Sequence, residues 1–326
     1  MYAIRLHAFG PAENLVHEHA DDPVPGPGQV RIAVAAAGVH YLDTVLRGGL
    51  EGHPAAPAEL PTVPGREVAG VVDALGDGTD PAWLGKRVVA HLGMVPGGYA
   101  ELAVTDAARL HEIPSNLDAA EAVAMIGTGR TTLGILLFTE LGPGDVAIVP
   151  AAAGGIGTLL VQYAKNAGAT VIALAGGPAK AALALANGAD LALDYRSPGW
   201  VEQVRGYLGD TRATVVFDSV GGDTARAAVD LLGRGGRHIV FGGFGDEVTF
   251  TDEELVQRGI TSEGVLGPVM IEKAGGDLRF LEERALAEAA SGRLRPAVQR
   301  FPLADAAGAH RALETRGTVG KVVLIP

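Results

Sequence analysis

The chain of 326 residues has no cysteine, so disulfide bonds and thiolate metal sites are excluded. Basic residues are also scarce. Lys and Arg number 26 against 38 Asp and Glu, which gives a net charge of −12, and they are scattered rather than arranged in a stripe. Nucleic acids and anionic membrane surfaces are therefore poor candidates as partners.

Long apolar runs are missing as well. No uninterrupted apolar stretch is long enough to cross a bilayer. The start of the chain, Met1–His7, lacks the basic segment and the long apolar segment of a signal peptide. Hydrophobic residues still make up 48% of the chain, which indicates well-packed cores rather than disorder. The composition predicts a cytoplasmic, enzyme-like protein of about two domains.

Glycine is abundant, with 47 residues and no collagen-like period. The most informative cluster follows the apolar run Val146–Val149, which predicts a short buried strand. Small residues at 151–157 then lead into a segment whose apolar residues have helical spacing. Strand, glycine turn and helix form the unit that binds a dinucleotide pyrophosphate, because the helix N-terminus offers unpaired N–H groups and partial positive charge.

The glycine pattern is incomplete, because alanine occupies its first position in Ala152-x-Gly154-x-x-Gly157. Glycines at the later positions allow close approach to phosphates and tight packing of the helix on the strand. A turn without a ligand is the alternative interpretation. A second apolar strand at Thr170–Ala175 follows at the distance of a βαβ unit, and this context favours a nucleotide site.

The patterns change along the chain and predict two domains. Residues 1–117 contain short β-branched runs between Gly/Pro turns, typical of a small antiparallel barrel. Residues 118–269 alternate strands and helices, which predicts a parallel sheet covered on both faces. Residues 270–326 are mixed, and we expect them to complete the first domain. The strands expected in the central region are 146–149, 170–175, 191–194, 214–217, 238–241 and 260–265, with helices at 155–167, 178–187, 199–208 and 222–232.

Five motifs occur in order along the chain: Gly38–Thr44, Pro64–Glu67 with Ala69-Gly70, Ala151–Gly157, Phe217–Gly221 and Arg316–Lys321. The chain resembles the zinc-independent quinone oxidoreductase (zeta-crystallin-like) branch of the medium-chain dehydrogenase/reductase superfamily over nearly its whole length. The resemblance implies an α/β protein with a GroES-like catalytic domain at 1–117, completed by 270–326, and a doubly wound Rossmann NADPH-binding domain at 118–269.

The resemblance also allows a test for a catalytic zinc site. Zinc-dependent relatives place catalytic ligands at positions that correspond to His40, Arg66 and Thr128. Of these three residues only His40 has a side chain that could bind zinc, and Arg66 would repel a cation, whereas a catalytic zinc needs about three protein ligands. We therefore predict no metal.

The predicted cofactor is NADPH. An NAD site usually has an acid about 20 residues beyond the glycine turn, but the segment 174–180 contains none. The resemblance implies that Lys180, Tyr195 and Arg316 bind a 2′-phosphate; a solvated lysine and a packed tyrosine are the alternatives. Other cofactor contacts that the resemblance implies are Thr128, Thr131, Ala153, Gly154, Gly155, Ile156, Gly157, Gly176, Ser219, the turn Phe241–Phe244 with Gly242, Val265 and Leu266.

The reaction that the resemblance implies is hydride transfer to a quinone or an α,β-unsaturated carbonyl compound. Negative charge on the acceptor oxygen then needs hydrogen-bond donors or water. His40, where the family usually has Asn, is a candidate donor or proton source, or else a structural residue. We expect Asp43 to be a structural acceptor and Tyr41 to be pocket wall. Arg47 is expected to attract an anionic substrate or to pair with Glu67.

Alternatives remain open for the function and for the oligomeric state. The resemblance places tyrosines that face the substrate in many family members at the positions of Val45 and Glu51, so we predict a pocket of altered shape without a tyrosine-dependent proton transfer. A 2-enoyl thioester reductase and a non-catalytic NADPH-binding protein are the competing functions. The resemblance further implies a homodimer paired through the strand at 260–265, with a monomer of covered edge as the alternative.

Overall fold

A computed structural model describes residues 1–50, 52–53, 56, 59–242 and 248–326. The expectations for Glu51 and Phe244 lie outside these residues. The chain forms two compact units. The first contains Met1–Gly129, Ala285–Ala290 and Pro296–Pro326, and the second contains Arg130–Arg284 and Ser291–Arg295. The functional domain boundaries at 117/118 and 269/270 stay predictions.

Fifteen strands are present in the described part of the chain. They are β1 (Tyr2–Leu6), β2 (Leu15–His19), β3 (Gln29–Val39), β4 (Glu67–Leu75), β5 (Arg87–His91), β6 (Leu102–Asp106), β7 (Leu110–Glu112), β8 (Val146–Val149), β9 (Thr170–Ala175), β10 (Leu191–Asp194), β11 (Ala213–Asp218), β12 (Leu232–Val240), β13 (Thr261–Gly264), β14 (Val298–Pro302) and β15 (Lys321–Ile325).

The α-helices of the described residues connect these strands, together with short 3-10 turns and one π-helical segment, Ala124–Gly129. The helices are α1 (Tyr41–Arg47), α2 (Ala119–Val123), α3 (Arg130–Ile135), α4 (Gly155–Asn166), α5 (Pro178–Ala186), α6 (Trp200–Leu208), α7 (Gly222–Val229), α8 (Asp252–Arg258), α9 (Pro268–Lys273), α10 (Arg279–Ala290) and α11 (Ala306–Glu314).

A mainly antiparallel sheet forms the first unit. Its strand order is β14-β15-β3-β4-β5-β7, with β6 also paired to β3, while β1 and β2 form a separate hairpin. Side chains of β3 alternate between the two faces of the sheet, and Val30 and Ile32 are fully buried in the core. The C-terminal strand β15 is antiparallel to β3, with Val322 opposite Val39. This pairing brings Lys321 beside the end of β3, where His40 follows.

A six-stranded parallel sheet forms the second unit, in the order β10-β9-β8-β11-β12-β13. Numbered from β8, this is the order 3-2-1-4-5-6 of a dinucleotide-binding fold, so the predicted doubly wound sheet is confirmed. The strands expected at 146–149, 170–175 and 191–194 have those bounds in the structure. The helix expected at 222–232 ends at Val229, because Leu232 already belongs to β12, whose glycines hide the strand pattern.

One stretch of the described residues, Ala119–Phe138, is long and apolar enough to cross a membrane by length and composition alone. It includes Glu121 and Arg130, and 67% of its most apolar 18-residue segment is buried inside the protein. Such burial is typical of a core helix of a globular protein, so the stretch is weak evidence for a membrane span.

Candidate functional site

The glycine turn of the second unit lies at the carboxyl end of β8. Ala151 has φ 50°, a left-handed conformation that is uncommon for a residue with a side chain. A Cβ atom at position 157 would lie closer than 3.0 Å to the Ala151 carbonyl oxygen, so only glycine lets α4 start this close to the turn. Gly154 is the N-cap of α4, and the next three residues present first-turn N–H groups at the helix N-terminus. The turn predicted to bind phosphates thus has the geometry of a phosphate-binding helix start.

Cationic and hydroxyl groups gather beyond β9, around Gly176 and Gly177. The Tyr195 hydroxyl lies 3.2 Å, and the Arg196 guanidinium 2.5 Å, from where Cβ atoms at positions 176 and 177 would stand. Burial lowers the pKa of the Lys180 ammonium, and the nearby Arg196 charge lowers it further. Two positive charges therefore lie close together at the carboxyl ends of β9 and β10, where an anionic group would relieve their repulsion.

Sequence reasoning missed Arg196. Its guanidinium is held by both carboxylate oxygens of Asp194, at 3.1 and 3.2 Å. Its position directly after Tyr195, at the end of the third strand of the βαβ series, was the available signal. Arg316, predicted to bind the same phosphate, belongs to the first unit, where it is exposed and has φ 54°.

Three further strand ends lie side by side at this edge of the sheet. The Phe241 N–H donates to the Asp218 carbonyl at 2.8 Å, and the Val265 N–H donates to the Val240 carbonyl at 3.0 Å. A Cβ atom at Gly242 would lie 2.6 Å from the Ser219 carbonyl oxygen. Phe241 and Val265 are themselves buried in the core, so they anchor these strand ends.

The remaining predicted cofactor residues differ in exposure. Leu266 is 41% exposed, whereas Ala153 is buried beside the glycine turn. Thr131 is half-buried in α3 of the second unit, and Thr128 is buried in the π-helical segment of the first unit. π-Helical turns inside helices are frequent at functional sites.

A buried charge cluster lies at the N-terminus of α1 in the first unit. The His40 Nε2 atom lies 2.6 Å from Glu67 Oε1 and 3.0 Å from Lys321 Nζ, and Lys321 Nζ lies 2.8 Å from Glu67 Oε2. Glu67 is fully buried and Lys321 is 4% exposed, whereas the His40 side chain is 26% exposed. Burial raises the pKa of the Glu67 carboxyl, but His40 and Lys321 lower it more, so this pKa is held well below its usual value.

Two glycines make the space for this carboxylate. Cβ atoms at Gly38 and Gly127 would each lie closer than 3.0 Å to a Glu67 carboxylate oxygen. Gly127 belongs to the π-helical segment and Gly38 to β3, so two separate elements form the walls of the slot.

Asp43 anchors the start of α1. Its carboxylate accepts from the His40 backbone N–H at 2.8 Å and from the Tyr99 hydroxyl at 2.9 Å, and it pairs with Arg66 at 3.2 Å. Burial raises the pKa of the Asp43 carboxyl, but His40 and Arg66 outweigh it, and the net effect is a lowered pKa. Burial and the Asp43 charge raise the pKa of Tyr99 well above its usual value. These contacts make Asp43 a charged acceptor that fixes the His40 backbone.

Arg47 does not pair with Glu67, so that expectation is wrong. Its guanidinium contacts Glu314 and donates to the Gly10 carbonyl, and the residue is 4% exposed. Arg47 is the last residue of α1, nearly two turns from His40, and it therefore points to the opposite end of the helix. Tyr41 is 45% exposed at the first position of the same helix.

Comparison with known proteins matches two family models. The alcohol dehydrogenase GroES-like domain matches residues 26–115, and the zinc-binding dehydrogenase model matches residues 155–283. A 2-haloacrylate reductase from a Burkholderia species is 33% identical to this chain over 98% of both proteins. A quinone oxidoreductase from Pseudomonas aeruginosa is 33% identical over 99% of both.

A solved structure extends the likeness to three dimensions. The crystal structure of Escherichia coli quinone oxidoreductase complexed with NADPH aligns with a TM-score of 0.85 and 30% identity, covering 100% of each chain. Since the alignment spans both chains completely, the likeness extends beyond the dinucleotide-binding sheet.

One of the two matching families is described as a zinc-binding dehydrogenase, but the residues of this chain do not fit a zinc site. Of the three corresponding positions, Arg66 carries a positive charge that pairs with Asp43, and His40 Nε2 lies against the Lys321 ammonium. Across the residues that the structure describes, no group of three or more His, Cys, Asp or Glu side chains is placed to hold a metal ion.

Proposed function

Because the chain belongs to the medium-chain dehydrogenase/reductase superfamily and resembles its quinone oxidoreductases over full length, we propose that it is an NADPH-dependent, zinc-independent reductase of quinones or α,β-unsaturated carbonyl compounds. The carrying observation is the 100% coverage of an NADPH-bound quinone oxidoreductase, joined to a glycine turn of the required geometry. A relative named for reduction of 2-haloacrylate supports the inclusion of unsaturated substrates.

NADPH fits the second unit. The N-terminus of α4 would hold the pyrophosphate, because its first-turn N–H groups and partial positive charge suit an anion. Lys180, Tyr195 and Arg196 would hold the 2′-phosphate around Gly176. Asp194 neutralises one of the two cations, so the group keeps a net positive charge. When bound, NADPH supplies the hydride of the reaction.

The first unit would supply the polar side chains of the reaction. A reduced acceptor carries negative charge that needs a proton or a hydrogen-bond donor. His40 is partly exposed and lies against two buried charges, and Asp43 fixes its backbone. Tyr41 is exposed on the same helix and would form part of the pocket wall, whereas Arg47 is bound to Glu314 and is unavailable to an anionic substrate.

Consumption of NADPH by the pure protein with a reactive ortho-quinone tests this proposal, with NADH as the parallel control. We expect turnover with NADPH and little with NADH. Tight NADPH binding without turnover of quinones or simple enones would favour a non-catalytic NADPH-binding protein. Turnover restricted to 2-enoyl thioesters would favour the thioester reductase, and equal rates with NADH would overturn the cofactor assignment.

We also propose a cytoplasmic homodimer paired through β13. This strand lies at the end of the parallel sheet, and Thr261, Glu263 and Gly264 on it are exposed. An exposed strand edge offers backbone donors and acceptors to a second copy across a two-fold axis. Ile260 packs in the core at 6% exposure, so a charge there would disturb folding rather than pairing. Thr261→Arg is the better variant: a mass in solution equal to that of the wild type would count against pairing through β13.

A further inference from the structure

The protonation of His40 is physically tied to two buried charges. Its Nε2 atom is the common neighbour of the Glu67 carboxylate and the Lys321 ammonium, at 2.6 and 3.0 Å. Glu67 is 0% and Lys321 4% exposed, so their interaction with the ring is poorly screened by water. His40 is the solvent-accessible member of this trio.

One nitrogen atom cannot satisfy both neighbours in the same way. A protonated Nε2 forms an ion pair with the Glu67 carboxylate at 2.6 Å, whereas a bare Nε2 accepts from Lys321 and turns its lone pair toward the carboxylate. The trio has net charge zero with a neutral imidazole and +1 with an imidazolium. Glu67 favours the imidazolium and Lys321 opposes it, so the two buried groups work in opposite directions on the same ring.

We propose that Glu67 and Lys321 are positioning residues that jointly set the protonation of His40, the proton donor to the reduced acceptor. This rests on the proposed function. After the acceptor has gained a hydride it is an anion, an enolate or a hydroquinone monoanion. Because Nε2 faces Glu67 and Lys321, the Nδ1–H bond of the His40 imidazolium breaks, the proton bonds to the anionic oxygen or carbon, and the ring becomes a neutral imidazole. Solvent then returns one proton to the ring.

Other charged groups around the trio are fixed by partners of their own. Asp43 holds the His40 backbone N–H and the Arg66 guanidinium, so its charge is balanced locally. His91 lies opposite Glu67 in the pairing of β4 with β5, and its Nδ1 accepts from the Gly93 N–H at 3.0 Å. The titratable or charged groups that face His40 and its partners come from several elements. They are Asp43 from α1, Arg66 directly before β4, Glu67 at the start of β4, His91 from β5, Tyr99, His310 from α11 and Lys321 from β15.

The test uses charge changes of opposite sign on the full-length protein. Lys321→Met leaves Glu67 alone beside the ring, and we expect the midpoint of the His40 titration to rise by about one pH unit or more. Glu67→Gln leaves Lys321 alone, and the midpoint should fall. The double variant Glu67→Gln/Lys321→Met removes both charges and should return the midpoint close to that of the wild type. Loss of a merely structural contact would not produce opposite shifts that cancel.

Two readouts separate this inference from the proposed function. Nitrogen-15 NMR of the His40 ring, assigned with His40→Asn, reports the titration without any substrate. The pH profile of kcat with NADPH and a quinone reports whether the same group limits turnover. Lys321→Arg keeps the charge and should keep both midpoints. Lys86→Met removes one partner of the exposed Lys86–Glu112 pair, at 3.1 Å, and should change neither.

The outcomes are distinct. Midpoints that move in the same direction, or do not move, overturn the coupling. Opposite NMR shifts with an unchanged pH profile of kcat overturn the role as proton donor. A wild type without NADPH turnover defeats the proposed function, while the NMR titration still decides the coupling. If a single variant does not fold, the double variant and Lys321→Arg must both keep the wild-type midpoint, and a moved midpoint in either contradicts the inference.

Discussion

The two units build their candidate sites from different parts of the chain. In the second unit the site consists mainly of backbone: strand ends, a left-handed Ala151 and the first turn of α4. In the first unit it consists of side chains, and Glu67 and Lys321 meet there although 254 positions separate them, 67 against 321. A backbone site follows from a local motif. A side-chain cluster depends on which distant strands pair, so substitutions at more positions can disrupt it than can disrupt a backbone site.

The largest effect is expected from Gly127→Ala in the first unit. The added methyl group would occupy the position of Glu67 Oε1 and drive a buried carboxylate out of its contacts. Breaking a buried ion pair costs about 3–5 kcal/mol, and the free energy of unfolding from denaturant titration should fall by that amount. Gly26→Ala is the matched control, since its methyl group meets only the flexible end of Gln29. Equal stability of the two variants would contradict the slot described for Glu67.

A pH effect of similar size is expected at His310, also in the first unit. Burial lowers the pKa of His310 to about 4 from 6.5, and its Nε2 lies 3.3 Å from the Tyr99 hydroxyl. The unfolded chain therefore binds a proton at this residue between pH 6.5 and 4 that the folded protein excludes. The resulting stability is complete above pH 6.5 and is lost as the pH falls toward 4, by about 3 kcal/mol.

Urea titrations at several pH values check this prediction. His310→Gln cannot take up a proton, so its stability should fall less between pH 6.5 and 4 than that of the wild type. The difference between the two proteins removes the contributions of the other histidines. Parallel losses in both proteins would show that His310 does not carry this proton linkage.

A smaller effect on stability is expected from Gly157→Ala in the second unit. The methyl group would press on the Ala151 carbonyl, and such overpacking costs about 1–3 kcal/mol. NADPH affinity should fall more than stability does, because the helix start that we propose for the pyrophosphate would shift. Gly206→Ala is the control, since a Cβ atom there meets no atom within 4 Å in α6. Unchanged NADPH affinity in Gly157→Ala would contradict the backbone nature of this site.

The smallest effect concerns the choice between NADPH and NADH. Lys180→Ala and Arg196→Ala should each weaken NADPH binding by about tenfold, since a charge-assisted hydrogen bond contributes about 1.5 kcal/mol. NADH affinity, measured by fluorescence titration, should stay the same. Arg205→Ala, at an exposed position of α6, is the control. An equal loss for both cofactors would remove these residues from 2′-phosphate recognition.

Sequence patterns predicted the second unit closely and the first unit less well. The apolar run Val146–Val149 and the glycine turn can each be recognised from a short stretch of sequence, and the strand has the predicted bounds. α1 was not predicted, because its seven residues are too few to establish a helical period. Arg196 was missed because it acts through the position of its strand end rather than through a motif.

The sequence by itself determined the fold class, the glycine turn between β8 and α4 and the absence of cysteine ligands, because each follows from local patterns or from composition. Only the tertiary structure decided that Glu67 meets His40 and Lys321, and that Arg47 meets Glu314 instead. The pairing of β15 with β3 carries Lys321 to its place, and the length of α1 separates Arg47 from His40. Long-range strand pairing has no local pattern in the sequence, so a charge cluster that depends on it emerges only when the chain has folded.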